Sequence, residues 1–313
     1  ELLGAIRRIS AHEYRPGPVV LLMALSTART LPDRTSVLAA LGAVVSALSV
    51  SAQQDATPPI AIRAEESAAA ERQFDFWVGE WTVNNRGLQK DGSDQDVGEA
   101  RARTRPILGG RGILEEWDGR SGMRQGTFGI SVRRFDPRLG RWVIQLNWPN
   151  PQSTAFSRME GRFRHGRGEF FAPAAAAQAV ARSTRFTFSD GLAETCRWDM
   201  AQPVADAGWL TNWIMEFSRE VSAKATIAAG EPIQQPPKRL ACLDPTARQW
   251  DRWIGAYSGA GKFVRAGQAA VESEATLRVS SANRGCATLE FLAVAAPTGT
   301  WHSFTAWAYD ASR

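Results

Sequence analysis

The sequence predicts an all-β protein, built around an up-and-down antiparallel β-barrel of about 8 to 10 strands. Short runs of alternating or aromatic apolar residues follow one another along residues 79–218, separated by Gly, Pro, Asn and Asp. Each run has one apolar side. Ten such strands can bury that side by stacking as a sandwich or by closing, and only closure removes the exposed sheet edges.

The barrel is assigned from ten consecutive segments, and "DPRLGR" is a turn between two of them because Pro137 fixes φ and Gly140 accepts a positive φ. The predicted strands are Gly79 to Val83, Val97 to Thr104, Gly112 to Trp117, Gly126 to Phe135, Arg141 to Trp148, Ser157 to Phe163, Glu169 to Phe171, Ser183 to Ser189, Ala193 to Met200 and Gly208 to Ser218. We expect the apolar side of each strand to face inward, including Phe128, Ile130 and Val132; Trp142, Ile144, Leu146 and Trp148; Phe186 and Phe188; and Trp213, Met215 and Phe217.

Length and composition favour two domains of an ordinary water-soluble protein. The chain has 313 residues, of which 44% are apolar and 22% charged. The net charge is +5, but the cations are scattered among acids, as in "RFDPRLGRW". Because neither a basic helix nor a cationic run is present, we expect no nucleic-acid partner.

The N-terminal region resembles a secretory signal. Met23 opens a segment with Arg29 and Arg34, an apolar run of about 14 residues and a small-x-small site that ends at Ala52. The run is shorter than the roughly 20 residues that span a bilayer, although a buried or membrane-anchoring helix is the alternative. We therefore expect export to the periplasm or the extracellular space, with no stable membrane insertion after cleavage. Residues 1–22 then have no role in the fold, residues 23–52 are the signal, and residues 53–72 are a linker.

The sequence predicts neither a metal site nor a cofactor. Cys196, Cys242 and Cys286 have no metal-ligand spacing; they allow one disulfide, whose pairing stays open, or three unrelated core thiols. His165 lies in "RHGRG", which reads as a hairpin turn, so we do not expect it to ligate haem inside a barrel.

Two similar octets indicate an internal repeat. "FDFWVGEW" begins at Phe74 and "WDRWIGAY" at Trp250. Spacings of 174 to 176 residues separate three pairs of landmarks: Phe74 and Trp250, Glu116 and Glu290, and Asp136 and Asp310. We expect a complete barrel over residues 73–220, a linker over 221–247 and an incomplete second copy over 248–313. The incomplete copy should form at most an open, partly exposed sheet.

A family resemblance rests on the motifs of the first copy. Gly79-x-Trp81 resembles the motif that opens the first strand of lipocalins. The longer series "FDFWVGEW", "ILGGRGILEEW", "VRRFDPRLGRWVIQLNW" and "DMAQPVADAGWLTNWIMEFSRE" is similar to bacterial exported lipocalin-like, calycin-type domains of unknown function. The resemblance covers Phe74 to Glu220 and brings a barrel but no reaction. It implies that Trp81 plugs one end of the barrel and that Arg219 lies over its ring.

Function is predicted from the 12 tryptophans. They either fill the core or, in part, line a pocket for a small apolar or aromatic molecule, for which we select Trp142, Trp148, Trp198, Trp213 and Phe128. One alternative is a hydrolase or isomerase that uses Glu116 as acid or base in the same cavity. Another is a filled barrel that binds an unidentified protein through its surface. The sequence contains no G-x-S-x-G, phosphate-loop or H-E-x-x-H motif, so catalysis stays open with the weight against it.

Overall fold

The computed structural model describes residues 6–12, 19–23, 64–89, 91–149, 155–172, 184–204, 208–219, 242, 248, 251–265, 271–296 and 299–309. These residues form a closed antiparallel barrel of ten strands, a separate smaller sheet and one short α-helix. The predicted all-β class and up-and-down barrel are confirmed. Residues 24–63, which include nearly all of the predicted signal peptide, and most of the linker at 221–247 lie outside the described residues.

The elements follow one another along the chain. Strands β1 (Ile6–His12) and β2 (Val19–Met23) precede helix α1 (Ala64–Glu71). The barrel strands are β3 (Gly79–Leu88), β4 (Asp94–Ile107), β5 (Gly112–Gly119), β6 (Phe128–Asp136), β7 (Arg141–Asn147), β8 (Phe156–Arg164), β9 (Arg167–Phe171), β10 (Arg185–Ser189), β11 (Thr195–Pro203) and β12 (Trp209–Ser218). The smaller sheet continues with β13 (Gly255–Arg265), β14 (Val271–Ala282), β15 (Ala287–Ala296) and β16 (Gly299–Tyr309).

Barrel closure follows directly from the strand order. Each strand from β3 to β12 pairs antiparallel with the next, and β12 pairs with β3 from Trp213 opposite Gly87 to Ser218 opposite Thr82. At the predicted "DPRLGR" turn, the backbone N–H of Arg138 donates to Asp136 Oδ1 at 3.0 Å, and Gly140 has a φ of 59°. Hairpin turns and closure together leave this sheet without an exposed edge.

Aromatic side chains fill much of the barrel interior. Phe74 lies in the connection between α1 and β3 and packs edge-on against Trp142, Phe163 and Phe188, with ring centroids 4.8 to 5.0 Å apart. Such a geometry places a positive ring edge on a negative ring face. Each fully buried large side chain contributes roughly 1.5 to 3 kcal/mol, so this cluster is a main source of barrel stability.

The prediction of an inward apolar face is wrong for β6. Phe128, Ile130 and Val132 face outward, while Gly129, Ser131, Arg133 and Phe135 alternate with them on the inside. The interior leaves no room at Gly129, where a Cβ would lie 2.2 Å from Cε3 of Trp148. The outward face is apolar because the smaller sheet packs on it, and both surfaces belong to one buried cluster.

The smaller sheet has the order β1-β16-β15-β14-β13-β2. The described part of the predicted second copy therefore lies in an open sheet, as expected. Strands β1 and β2 pair along its two edges, although we expected residues 1–22 to take no part in the fold. Cys242 forms a disulfide with Cys286, which lies directly before β15, and Cys196 is a free, buried thiol inside the barrel.

Candidate functional site

A group of tryptophans lies towards the end of the barrel that is remote from α1. We call Trp117, Trp148, Trp198 and Trp213 the distal tryptophan cluster. Trp213 is at its centre, with its ring centroid 5.9 Å from Trp148, 5.2 Å from Trp198 and 6.5 Å from Trp117. Trp148 and Trp213 are only half-buried, so this cluster reaches solvent.

Arg124 covers the distal tryptophan cluster. It ends the 3-10 turn Gly122–Arg124 between β5 and β6, and its Cζ lies 3.7 Å from the centroid of the Trp213 ring. The turn fits there because Gly122 has a φ of 59° and a Cβ at that position would lie 2.9 Å from Gly98 Cα. Burial lowers the pKa of the Arg124 guanidinium from its ordinary value. This shift indicates a desolvated cation, which an anionic ligand group would stabilise.

The hydrogen bonds of the distal tryptophan cluster are incomplete. Trp213 Nε1 donates to Asn85 Oδ1 at 3.1 Å, and Asn85 in turn donates to the Gly98 carbonyl at 2.9 Å. Trp117 Nε1 and Arg124 Nε are buried and find no acceptor among the described residues. A ligand that enters the cluster between the rings would therefore meet two buried donors that lack an acceptor.

The opposite end of the barrel is closed. We call it the plugged end and define it by Phe74, Trp77, Trp81 and Trp142. Arg219 Cζ lies 4.0 Å from the Trp81 ring centroid, and its Nη2 donates to the Val78 carbonyl at 2.9 Å. The family resemblance implied that Arg219 lies over the ring of Trp81, and the structure has this contact.

Each indole N–H of the plugged end has an acceptor. Trp81 Nε1 donates to the Trp77 carbonyl at 2.8 Å, and Trp77 Nε1 donates to Glu115 Oε1 at 3.0 Å. Trp142 Nε1 lies 3.2 Å from both the Ala70 carbonyl and Gln73 Oε1. The plugged end is thus tied to α1 and to the strands around it.

The carboxylate inside the barrel is Glu115. Its Oε2 accepts hydrogen bonds from Arg133 Nη2 at 2.7 Å and Ser131 Oγ at 2.8 Å. Arg133 Nε and Nη1 have no described acceptor, and the guanidinium lies 5.1 Å from the Trp77 ring centroid. Glu115 and Arg133 are 7% and 4% exposed, so this is a sealed ion pair.

Glu116, the candidate acid or base, lies outside the barrel. Its side chain is 40% exposed and its carboxylate is 4.0 Å from Arg105 Nε. Adjacent residues of a strand point to opposite faces, and the interior position belongs to Glu115. A reaction inside the barrel therefore cannot use Glu116 directly.

Three of the five predicted ligand-lining residues come together, namely Trp148, Trp198 and Trp213. Trp142 belongs instead to the plugged end. Phe128 lies outside the barrel, where the Arg284 guanidinium covers its ring with 4.9 Å between Cζ and the centroid. Trp117 and Arg124 were missed. The inward parity of β5 could have indicated Trp117, but only the folded turn places Arg124 over Trp213.

The remaining candidate groups do not form a site within the described residues. His165 is exposed in the turn between β8 and β9, with a φ of 50°. Burial, followed by the negative charge of Glu115, raises the pKa of the Cys196 thiol, which keeps it protonated and inert. In the described ranges, no three His, Cys, Asp or Glu residues are placed to hold a metal ion. None of the helices described is long and apolar enough to cross a membrane.

A cleft of about 410 Å³ lies where the smaller sheet meets the barrel. Leu108 forms its barrel side, and Arg278, Phe291 and His302 are among the residues of its other side. The cleft is outside the barrel interior and shares no residue with the distal tryptophan cluster.

Comparisons with known proteins identify no family. No family model matches the chain, and no curated protein matches it. A protein of unknown function from the DUF3598 family of Nostoc punctiforme PCC 73102 is similar with 10% identity and a TM-score of 0.24, over 75% of this chain and 70% of that chain. MucB from the Pseudomonas aeruginosa MucA/MucB complex is similar with 10% identity and a TM-score of 0.19, over 80% of this chain and 95% of that chain. These similarities are too weak to carry a functional argument.

Proposed function

We propose that the barrel binds a small, flat, apolar or aromatic molecule at the distal tryptophan cluster. The observation that carries the proposal is the pair of unsatisfied buried donors, Trp117 Nε1 and Arg124 Nε, beside the half-buried rings of Trp148 and Trp213. Ligand sites typically combine an apolar surface with a few convergent polar groups. The preferred ligand therefore carries a hydrogen-bond acceptor, and an anionic acceptor suits the desolvated Arg124 best.

The energetic argument compares the empty and the occupied cluster. A buried donor without an acceptor costs about 1 to 3 kcal/mol, and a ligand that supplies the acceptor recovers part of that cost. A ring that stacks on Trp148 or Trp213 also removes apolar surface from water. The distal cluster has this unmet capacity, whereas all three indole N–H groups of the plugged end are bonded.

We further propose that the protein is an exported member of the lipocalin-like group. The Arg219 contact with Trp81 and the hydrogen bond to Val78 support the lipocalin-like assignment. The Cys242–Cys286 disulfide supports export, because disulfides persist mainly in oxidising compartments. We still expect cleavage after Ala52, so that the mature chain begins at Gln53.

We also propose that strands β13 to β16 of the smaller sheet repeat strands β3 to β6 of the barrel. Equivalent hairpins have the same register: Thr104 pairs with Glu115 and Glu115 with Ser131, while Val279 pairs with Glu290 and Glu290 with Thr305. The 3-10 turns at Leu108–Gly110 and Asn283–Gly285 both consist of three consecutive residues with positive φ. Such a backbone is unusual for residues other than glycine, which makes its recurrence informative.

A barrel filled by its own side chains is the second candidate function, and the ring contacts favour it. Aromatic rings pack against one another in two groups, one around Phe74 at the plugged end and one around Trp213 at the distal cluster, and both groups belong to one core. In that case the protein acts through its surface and binds a protein partner. The two functions differ in whether the distal cluster opens for a small molecule.

The test is fluorescence titration of the full chain with two flat probes, anilinonaphthalene sulfonate and the uncharged N-phenylnaphthylamine. We expect both probes to bind with quenching of tryptophan emission. Arg124→Met should weaken the sulfonate probe about tenfold and leave the uncharged probe nearly unchanged, because only the sulfonate uses the guanidinium. Near-ultraviolet circular dichroism checks that each variant keeps a packed core.

Arg185→Met is the matched control. Arg185 also lies over an indole, 4.8 Å from the centroid of Trp209, and its Nε also lacks a described acceptor, but this pair is outside the interior core. The control should bind both probes like the wild type. If neither probe binds the wild type, or if Arg124→Met and Arg185→Met behave alike, the distal cluster is not the site and the filled-barrel function gains.

A further inference from the structure

The outward face of β5 and β6 is covered by the outward face of β15 and β16. Leu114 and Ile130 on the barrel side are 0% and 1% exposed, and Leu289 and Phe304 on the other side are both 1% exposed. Strand pairing makes Glu115 the equivalent of Glu290, where the sequence landmarks had paired Glu116 with it, and the same pairing relates Leu114 to Leu289 and Ile130 to Phe304. Equivalent residues of the two copies therefore lie in one buried apolar cluster.

The contacts at the edge of this interface are reciprocal. The turn Leu108–Gly110 contacts β16, and its counterpart Asn283–Gly285 contacts β6. Gly109 of the first copy is equivalent to Arg284 of the second, and Phe128 is equivalent to His302. Gly109 lies beside His302, because a Cβ on it would be 3.3 Å from His302 Cδ2. In the reciprocal contact, Arg284 lies over the ring of Phe128. When residue i of one copy touches residue j of the other and the reverse also holds, the contact has two-fold symmetry.

We propose that the outward face of β5 and β6 is a self-docking surface, whose natural partner is the same face of another copy of this module. In this chain the smaller sheet supplies that partner in cis. An isologous face is complementary to itself, so a barrel without its second copy should pair with another barrel through the same residues. This inference does not depend on ligand binding at the distal tryptophan cluster.

The departure from symmetry supports the same arrangement. Arg284 fills the space over Phe128 and forms a salt bridge with Asp118. At the reciprocal place the residue is Gly109, which has no side chain, and the cleft of about 410 Å³ lies there beside Ala293 and His302. The two places thus differ by the presence of one long side chain and not by a different docking geometry.

The first experiment uses the barrel alone, residues 64–219, whose ten strands pair only with one another and enclose their own core. Sedimentation velocity should show a dimer. Leu114→Lys should weaken the dimer at least about 100-fold, because it buries an unpaired charge in the contact. Leu192→Lys is the matched control, since Leu192 is 65% exposed and away from the face, and it should leave the dimer intact.

A cross-link locates the symmetry axis. Leu114→Cys in the isolated barrel should form a disulfide-linked dimer under mild oxidation if the axis passes beside Leu114, as the shared buried cluster of Leu114 and its equivalent Leu289 indicates. The native Cys196 does not compete, since burial keeps its thiol protonated. Leu192→Cys should cross-link much more slowly. A wild-type barrel that remains monomeric up to about 100 µM, or equal cross-linking of the two cysteines, would overturn the proposal.

The second experiment uses the full chain and does not require the isolated barrel to fold. The wild-type chain should be monomeric, because its docking face is already covered. Leu289→Lys should detach the smaller sheet, expose Leu114 and Ile130, and convert the chain into a dimer, while Leu114→Lys in the full chain should detach the sheet without dimerisation. Amide hydrogen exchange checks that the barrel of Leu289→Lys stays folded. If this variant has an intact barrel and is still a monomer, the outward face of β5 and β6 does not bind to itself.

Discussion

The two ends of the barrel contain the same kinds of side chain but differ in hydrogen bonding. Each end places an arginine over a tryptophan, Arg219 over Trp81 at 4.0 Å and Arg124 over Trp213 at 3.7 Å. At the plugged end the arginine also donates to backbone carbonyls, whereas Arg124 Nε at the distal cluster finds no described acceptor. The two arginine–tryptophan pairs therefore differ: Arg219 is anchored to the backbone over Trp81, whereas Arg124 over Trp213 keeps an unmet donor at a half-buried surface.

The largest effect is expected from Glu115→Gln at the plugged end. The amide keeps the shape but removes the charge opposite Arg133, which then lies buried without a counter-charge. We expect the free energy of unfolding to fall by about 3 to 5 kcal/mol, measured by urea denaturation. Glu116→Gln is the matched control. The ion pair of Glu116 with Arg105 is half-exposed and should contribute less than about 1 kcal/mol to the free energy of unfolding.

A second variant sharpens this test. Adding Arg133→Met to Glu115→Gln removes both charges and should recover much of the stability, because a neutral replacement avoids the unpaired buried cation. Equal losses for Glu115→Gln and Glu116→Gln would show that the interior ion pair is not what holds the plugged end together.

An intermediate effect is expected from Arg219→Met. This change removes the cation over Trp81 and the hydrogen bonds to the Val78 and Ala193 carbonyls. The loss should be about 1 to 3 kcal/mol of unfolding free energy, with unchanged affinity for the fluorescent probes. Thermal denaturation followed by near-ultraviolet circular dichroism measures it. A probe affinity that falls together with stability would mean that the two ends are coupled.

The smallest effect on stability is expected from Arg124→Met. The variant loses a cation–indole contact but also removes a desolvated charge and an unsatisfied donor. These terms offset each other, so unfolding free energy should change by less than about 1 kcal/mol. The same denaturation assay compares it with Arg219→Met. If Arg124→Met is the more destabilising of the two, the distal cluster is a second plug and not a binding surface.

Much of the barrel could be predicted from the sequence. Period-2 alternation, turn residues and the need to bury one side of each strand identified the all-β class and the turn at Asp136 to Arg141. Alternation alone could not assign β6, because both of its faces are buried: Arg133 and Ser131 bind Glu115 inside, and Ile130 packs under the smaller sheet outside. A strand with two buried faces has no single apolar parity.

The candidate site was predicted only in part, for a similar reason. Trp148, Trp198 and Trp213 share inward parities that the sequence displays, but parity does not give height along the barrel, so Trp142 was grouped with them although it lies at the other end. Glu115 and Glu116 are adjacent residues of the same type, and only the pairing of β5 with β6 places one of them beside Arg133.

Local pattern determined the strands and the turns, because each of these depends on residues close in sequence. The pairing of Trp81 with Arg219 came from the family resemblance. The tertiary structure alone decided which carboxylate is sealed inside, which cysteines are bonded and which outward face covers the barrel. Those outcomes depend on contacts between segments far apart in the chain, where strand register and barrel closure select one of two faces that the sequence leaves equivalent.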